Sequence, residues 1–197
     1  EGIDVDPEAA ERWKALAIRP GLGQDEGFYL LAEAYRTNTA YEWDPVRVEQ
    51  LLTEAHEMGN LKATVRLGKF HIRPGEDGMD NVEYGVDLLR HAAKLGRASA
   101  MRELAVYYRA QGNLTEAIGW LDAAIVDGLD TALILKAEWA IEGVLTGQPE
   151  PGMAREILND VIQRNICTMN LSSAVVENLA RGTGGQGREA EALALAE

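Results

Sequence analysis

The chain has 197 residues, 46% of them hydrophobic and 26% charged, and a formal net charge of −13. That balance fits a folded globular protein, and the acidity opposes general binding to nucleic acid or to anionic membrane surfaces, whose phosphates it would repel. No apolar run approaches the ~18–20 residues that span a bilayer, so no membrane insertion is expected, and a single cysteine, Cys167, excludes an intramolecular disulfide.

Taken in chain order, helical stripes alternate between two patterns. Asp6-Pro7 pairs an N-cap acid with proline at the first helical position, and Ala10, Trp13 and Ala17 follow at helical spacing, closed by Gly21. Next comes Gly27, Leu31, Ala32 and Tyr35, then a second Asp-Pro start at Asp44-Pro45 that leads into Val48, Leu51, Ala55 and the closing Gly59. The alternation continues with Ala63, Leu67, Gly68 and His71, and then with Gly85, Leu88, Ala92 and Gly96. Ala100, Leu104, Ala105 and Tyr108 are followed by Ala117, Trp120, Ala124 and Gly128. A weaker pair ends the series: Ala132, Lys136, Ala137 and Ala140, then Ala154, Ile157, Val161 and Asn165.

Residues at i, i+3, i+4 and i+7 share one helix face, so each set marks a buried stripe. Small residues within a stripe let backbones approach, and Gly or Asn just beyond it supplies the left-handed residue that ends a helix. The closing residues recur at intervals of 38, 37, 32 and 37. Two helices and two turns in such a period predict an all-α solenoid of helix pairs.

The segment from Ala100 to Gly128 carries the best single copy: Ala-x-x-x-Leu-Ala-x-x-Tyr-Tyr-x-x-Gly, then Glu-Ala-Ile-x-Trp-Leu-x-x-Ala, then Gly. It resembles the Sel-one-like repeats, relatives of the tetratricopeptide repeats, and the likeness extends over about residues 5–165. Lys136 in place of Leu, Ala140 in place of the aromatic, and the short Gln111-Gly112-Asn113 turn depart from the pattern. The resemblance implies a right-handed α/α superhelix that binds proteins or peptides and has no catalysis or cofactor of its own. One continuous repeat domain over 1–197 is expected. It would comprise a leading half-repeat (1–21), four repeats (22–59, 60–96, 97–128 and 129–165) and a divergent C-terminal cap (166–197).

In repeats of this type the first helix of each pair lines the concave side, which implies where its remaining residues face. The second unit would present Lys62, Val65, Lys69 and Ile72, and the third Ser99, Arg102, Val106 and Arg109. The first would offer Glu26, Tyr29, Glu33 and Arg36, and the fourth Thr131, Ile134, Glu138 and Ile141. Lys62, Val65, Lys69, Ile72, Arg102, Val106 and Arg109 are therefore the candidate partner-binding residues: cations and aliphatics at the centre of an acidic protein. They suit a protein or peptide partner bearing carboxylates, although the same residues also fit a solvated helix face. With the four cations exposed, Lys69→Glu with Arg102→Glu is expected to weaken binding and leave stability unchanged.

Catalytic patterns do not hold together. Gly182-Thr-Gly-Gly-Gln-Gly187 has glycines at dinucleotide-site spacing but follows a helical stretch, where that site needs a strand; it reads as a hinge. His56, His71 and His91 fall in separate places without metal-ligand spacing, and His71 takes the repeat's aromatic position in the core. Cys167 has only Arg164 as a basic neighbour, so it reads as an inert thiol. Asn113-Leu-Thr115 and Asn170-Leu-Ser172 match the glycosylation tripeptide, which is common by chance. Tyr41 and Trp43, in the loop before Asp44, either pack on the adjacent unit or stand out as an anchor for a partner.

The expectation is thus a non-catalytic scaffold or adaptor. Its alternative is the non-catalytic repeat region of a larger enzyme or signalling protein. The chain opens on Glu, so a processed or excised form is expected and the lack of a signal sequence carries no weight. By family analogy alone, the chain looks bacterial, with a periplasmic or secreted location and a role in envelope or exopolysaccharide assembly; a cytoplasmic location is the alternative.

Overall fold

The structure, a computed structural model, describes residues 23–37, 44–73 and 81–163. The leading half-repeat, Tyr41 and Trp43, Cys167, the 182–187 glycines and the C-terminal cap lie outside them. Eight helices and no strands occur among the described residues: α1 Gln24–Thr37, α2 Pro45–Glu57, α3 Leu61–Ile72, α4 Val82–Lys94, α5 Ala98–Ala110, α6 Leu114–Val126, α7 Asp130–Ile141 and α8 Pro151–Gln163. The fold is an all-α helical repeat, as the periodicity predicts. It divides into two compact units, residues 1–104 and 105–197, with the division inside α5.

The helix starts follow from local chemistry. Asp44 caps α2, its carboxylate accepting the Arg47 N–H at 3.0 Å with Pro45 in the first turn. Asn60, Asn81 and Asn113 do the same for α3, α4 and α6. One turn then recurs at the helix ends. Gly59, Gly96, Gly112 and Gly128 each have φ between 75° and 90°, the left-handed conformation that only glycine adopts without strain. In each, the glycine N–H and the next N–H reach back to helix carbonyls; Gly59 bonds His56 and Asn60 bonds Ala55, at 2.8 and 3.0 Å. This is the Schellman closure, which satisfies two of the carbonyls a helix end leaves bare. Three of the four glycines are predicted closers, and Gly112 serves the short turn of the third repeat.

In the first unit α1 packs on α2, α2 on α3, and α3 on α4. Leu31, Leu51, Leu52, Leu67, Phe70 and Leu88 form its core. The tightest approach is between α3 and α4. A Cβ on Gly68 would lie 2.9 Å from the Gly85 carbonyl oxygen, and one on Gly85 would lie 2.7 Å from that of Gly68. His71 is buried beside them, edge-on to Phe70 and Tyr84, and 3.3 Å from Glu49.

In the second unit α7 packs on α6 and α8, around Ala137, Ala140, Ala154 and Leu158. The predicted bulky positions are shifted by one here. Leu121 and Leu158 are fully buried, whereas the stripe residues Trp120 and Ile157 are only half-buried. α7 keeps the repeat register despite Lys136. Ala132, Ala137 and Ala140 stay fully buried in repeat register, Leu133 and Trp139 join them, and Leu135 stays half-buried. Lys136 instead runs its stem along the edge and places Nζ 2.6 Å from Asp122 Oδ1.

Candidate partner-binding site

The first helices of three successive repeats, α1, α3 and the start of α5, line a half-open pocket of about 230 Å³ in the first unit. Tyr29 comes from α1; Lys62, Val65, Arg66 and Lys69 come from α3; Arg97, Ser99 and Glu103 come from the third repeat. Side chains on α3 point there because the opposite stripe, Ala63, Leu67, Gly68 and His71, is committed to the core.

Carboxylates organise the cations. Glu26 accepts from Lys62 Nζ at 2.7 Å and from Asn60 Nδ2 at 3.0 Å, and Lys62 lies 5.8 Å from the centre of the Tyr29 ring. These two hydrogen bonds hold the Glu26 carboxyl below its usual range. The same Asn60 caps α3, so the cap also fixes the acid of the preceding repeat. Arg66 pairs with Glu33 at 2.6 Å, and Arg36 joins the same carboxylate from within α1. Glu103 is only 5% exposed and carries three cations: Lys69 and Arg73 at 3.2 Å, and Arg102 at 3.0 Å. Burial pushes the Lys69 ammonium below its usual pKa, and the Glu103 carboxylate opposes that shift.

These contacts alter what Lys69 and Arg102 can be used for. Both are about two-thirds shielded and hold a buried carboxylate. Reversing both charges would set three acids against one another, so the expected neutrality for stability does not hold.

Of the predicted residues, Lys62, Val65 and Lys69 line the pocket, together with Tyr29 and Ser99. Ile72 instead turns to α4, where its Cγ2 would lie 2.8 Å from a Cβ on Gly85. Arg102 reaches the site through Glu103. Val106 and Arg109 lie in the second unit, where Arg109 pairs with Glu142 and sits 5.2 Å from the ring centre of the buried Trp139. Arg66, Arg97 and Glu103 escaped the sequence reading. A usable signal existed for two of them. The cross-repeat pairs Lys62–Glu26, Arg66–Glu33 and Lys69–Glu103 are 36, 33 and 34 residues apart, about one repeat.

Six cations (Lys62, Arg66, Lys69, Arg73, Arg97 and Arg102) thus stand in or against this site with three carboxylates, Glu26, Glu33 and Glu103. Arg36 and Asp25, at the margin, add one charge of each sign. No group of three or more His, Cys, Asp or Glu that could hold a metal ion occurs among the described residues, and no described helix is long and apolar enough to cross a membrane.

The sequence matches no family model and no curated protein. Solved structures do resemble it. A Sel1 repeat protein from Oxalobacter formigenes superposes with a TM-score of 0.66 at 18% identity, over 95% of this chain and 78% of that one. A protective antigen present in uropathogenic Escherichia coli strains, which displays the SLR fold, superposes with a TM-score of 0.60 at 22% identity. This likeness covers 94% of the chain and 39% of the antigen. With its paired helices and recurrent glycine turns, the chain has the Sel1-like repeat fold.

Proposed function

We propose that the chain is a non-catalytic protein-interaction scaffold, and that the face formed by α1, α3 and the start of α5 receives an acidic stretch of a partner protein. The observation that supports this reading is the local surplus of three positive charges in a chain of net charge −13. Stability alone does not call for such a surplus, since three carboxylates already hold most of these side chains in place. Tyr29 and Val65 beside the cations supply apolar contact, the mixture that interface anchors use.

The test is fluorescence anisotropy with a labelled decapeptide of alternating Glu and Leu, against the same peptide with Gln for Glu. The acidic peptide is expected to bind, and to weaken as salt rises, because accessible charge pairs are screened over ~8–10 Å. Lys62→Ala, which removes an exposed cation, should weaken binding with little effect on stability. Equal binding of both peptides, or no response to salt, would refute the reading.

A further inference from the structure

Arg97 differs from its neighbours in the pocket. Lys62, Arg66 and Lys69 each have a carboxylate within 4.0 Å. Arg97 makes no ion pair or side-chain hydrogen bond with a described residue, and its Nε is closed off from solvent. Its backbone is already committed, the N–H to Ala92 at 3.0 Å and the carbonyl to the Ala100 N–H at 2.8 Å. The turn between α4 and α5 therefore fixes where the Arg97 backbone stands, and its side chain lines the pocket with that of Ser99.

A guanidinium with unused donors recognises a carboxylate through two parallel N–H groups. The pocket's size limits what can bring that carboxylate. At about 230 Å³ it is below the ~300–1,000 Å³ usual for small-molecule sites, so it has room for one side chain or chain end. Glu26 is the acid nearest to being such a ligand. It holds Lys62, and Arg97 acts on it through space, yet it forms no ion pair with Arg97.

We infer that Arg97 anchors a subsite for a single carboxylate, flanked by Ser99 and Lys62, and that Glu26 is the built-in acid with which an incoming carboxylate competes for Lys62. The inference rests on the acidic-partner reading and names the residue that enforces it. The carboxylate has two possible sources, an acidic side chain or a chain terminus.

Two labelled probes separate them: an acetylated Glu–Leu hexapeptide amide, with side-chain carboxylates alone, and an acetylated Ala–Leu hexapeptide with a free C-terminus. The full chain is expected to bind at least one. Arg97→Ala should lower that affinity about tenfold or more, as for lost hydrogen bonds to a charged group, and Arg97→Lys should restore part of it. Glu26→Gln should raise the affinity several-fold. Urea midpoints of the variants establish that they are folded. If Arg97→Ala binds like the parent, the Arg97 subsite is overturned while the acidic-partner reading stands. An unchanged or weaker affinity in Glu26→Gln overturns the competition. If neither the parent nor Glu26→Gln takes up either probe, both readings fail.

Discussion

His56 sits on α2 with its Nδ1 2.8 Å from Thr64 Oγ1. The threonine hydroxyl donates to the Asn60 carbonyl at 3.0 Å, so its lone pair is left to accept from His56 Nδ1–H. Burial is the main influence that lowers the His56 pKa from 6.5; His91 lowers it further, and Glu57 opposes both. A histidine whose folded pKa is depressed binds fewer protons folded than unfolded in the window below 6.5, so stability rises with pH there. On acidification from pH 8 to 5 the protein should hold its stability down to about 6.5 and lose some below it. Urea midpoints of the parent and of His56→Gln across that range measure the effect. Identical pH slopes for the two proteins would dismiss His56 as the cause.

At the scale of the element, glycine means opposite things in two kinds of helical position. Gly68 and Gly85 let α3 and α4 touch backbone to backbone, and a methyl on Gly68 would meet the Leu89 Cγ at 2.8 Å as well as the Gly85 carbonyl. Gly119 in α6 is exposed, with nothing within 4 Å of an added Cβ. Gly68→Ala should therefore destabilise by about 1–3 kcal/mol through overpacking, despite its better helix propensity. Gly119→Ala should stabilise by roughly 0.5–1 kcal/mol, since only propensity acts there. Chemical denaturation of both variants decides, and a gain at Gly68 would mean that the two helices can part without loss. The same contrast explains why the stripes were readable: a buried small residue at i, i+4 spacing has few other uses.

Within each unit contacts join helices adjacent in sequence, and in the first unit ion pairs one period long add further links. Stability in such an array is close to a sum of unit and neighbour terms. Leu104, fully buried, should cost about 2–5 kcal/mol when cut to alanine. Amide exchange should then quicken most in α5 and its neighbours, with a lesser change toward the distant helices. A uniform rise along the whole chain would contradict neighbour-by-neighbour coupling. What the sequence by itself determined was the period, the helix pairs, the Asn, Asp and Gly punctuation and the small-residue stripes. Backbone sterics and local hydrogen bonds dictate those features within a few residues. Only the tertiary structure decided that Ile72 packs on α4, that Lys136 finds Asp122, and that Glu103 gathers three cations while Arg97 pairs with no acid among the described residues. Those outcomes depend on which side chains of different helices come within bonding distance, and helical spacing within one helix carries no information about that.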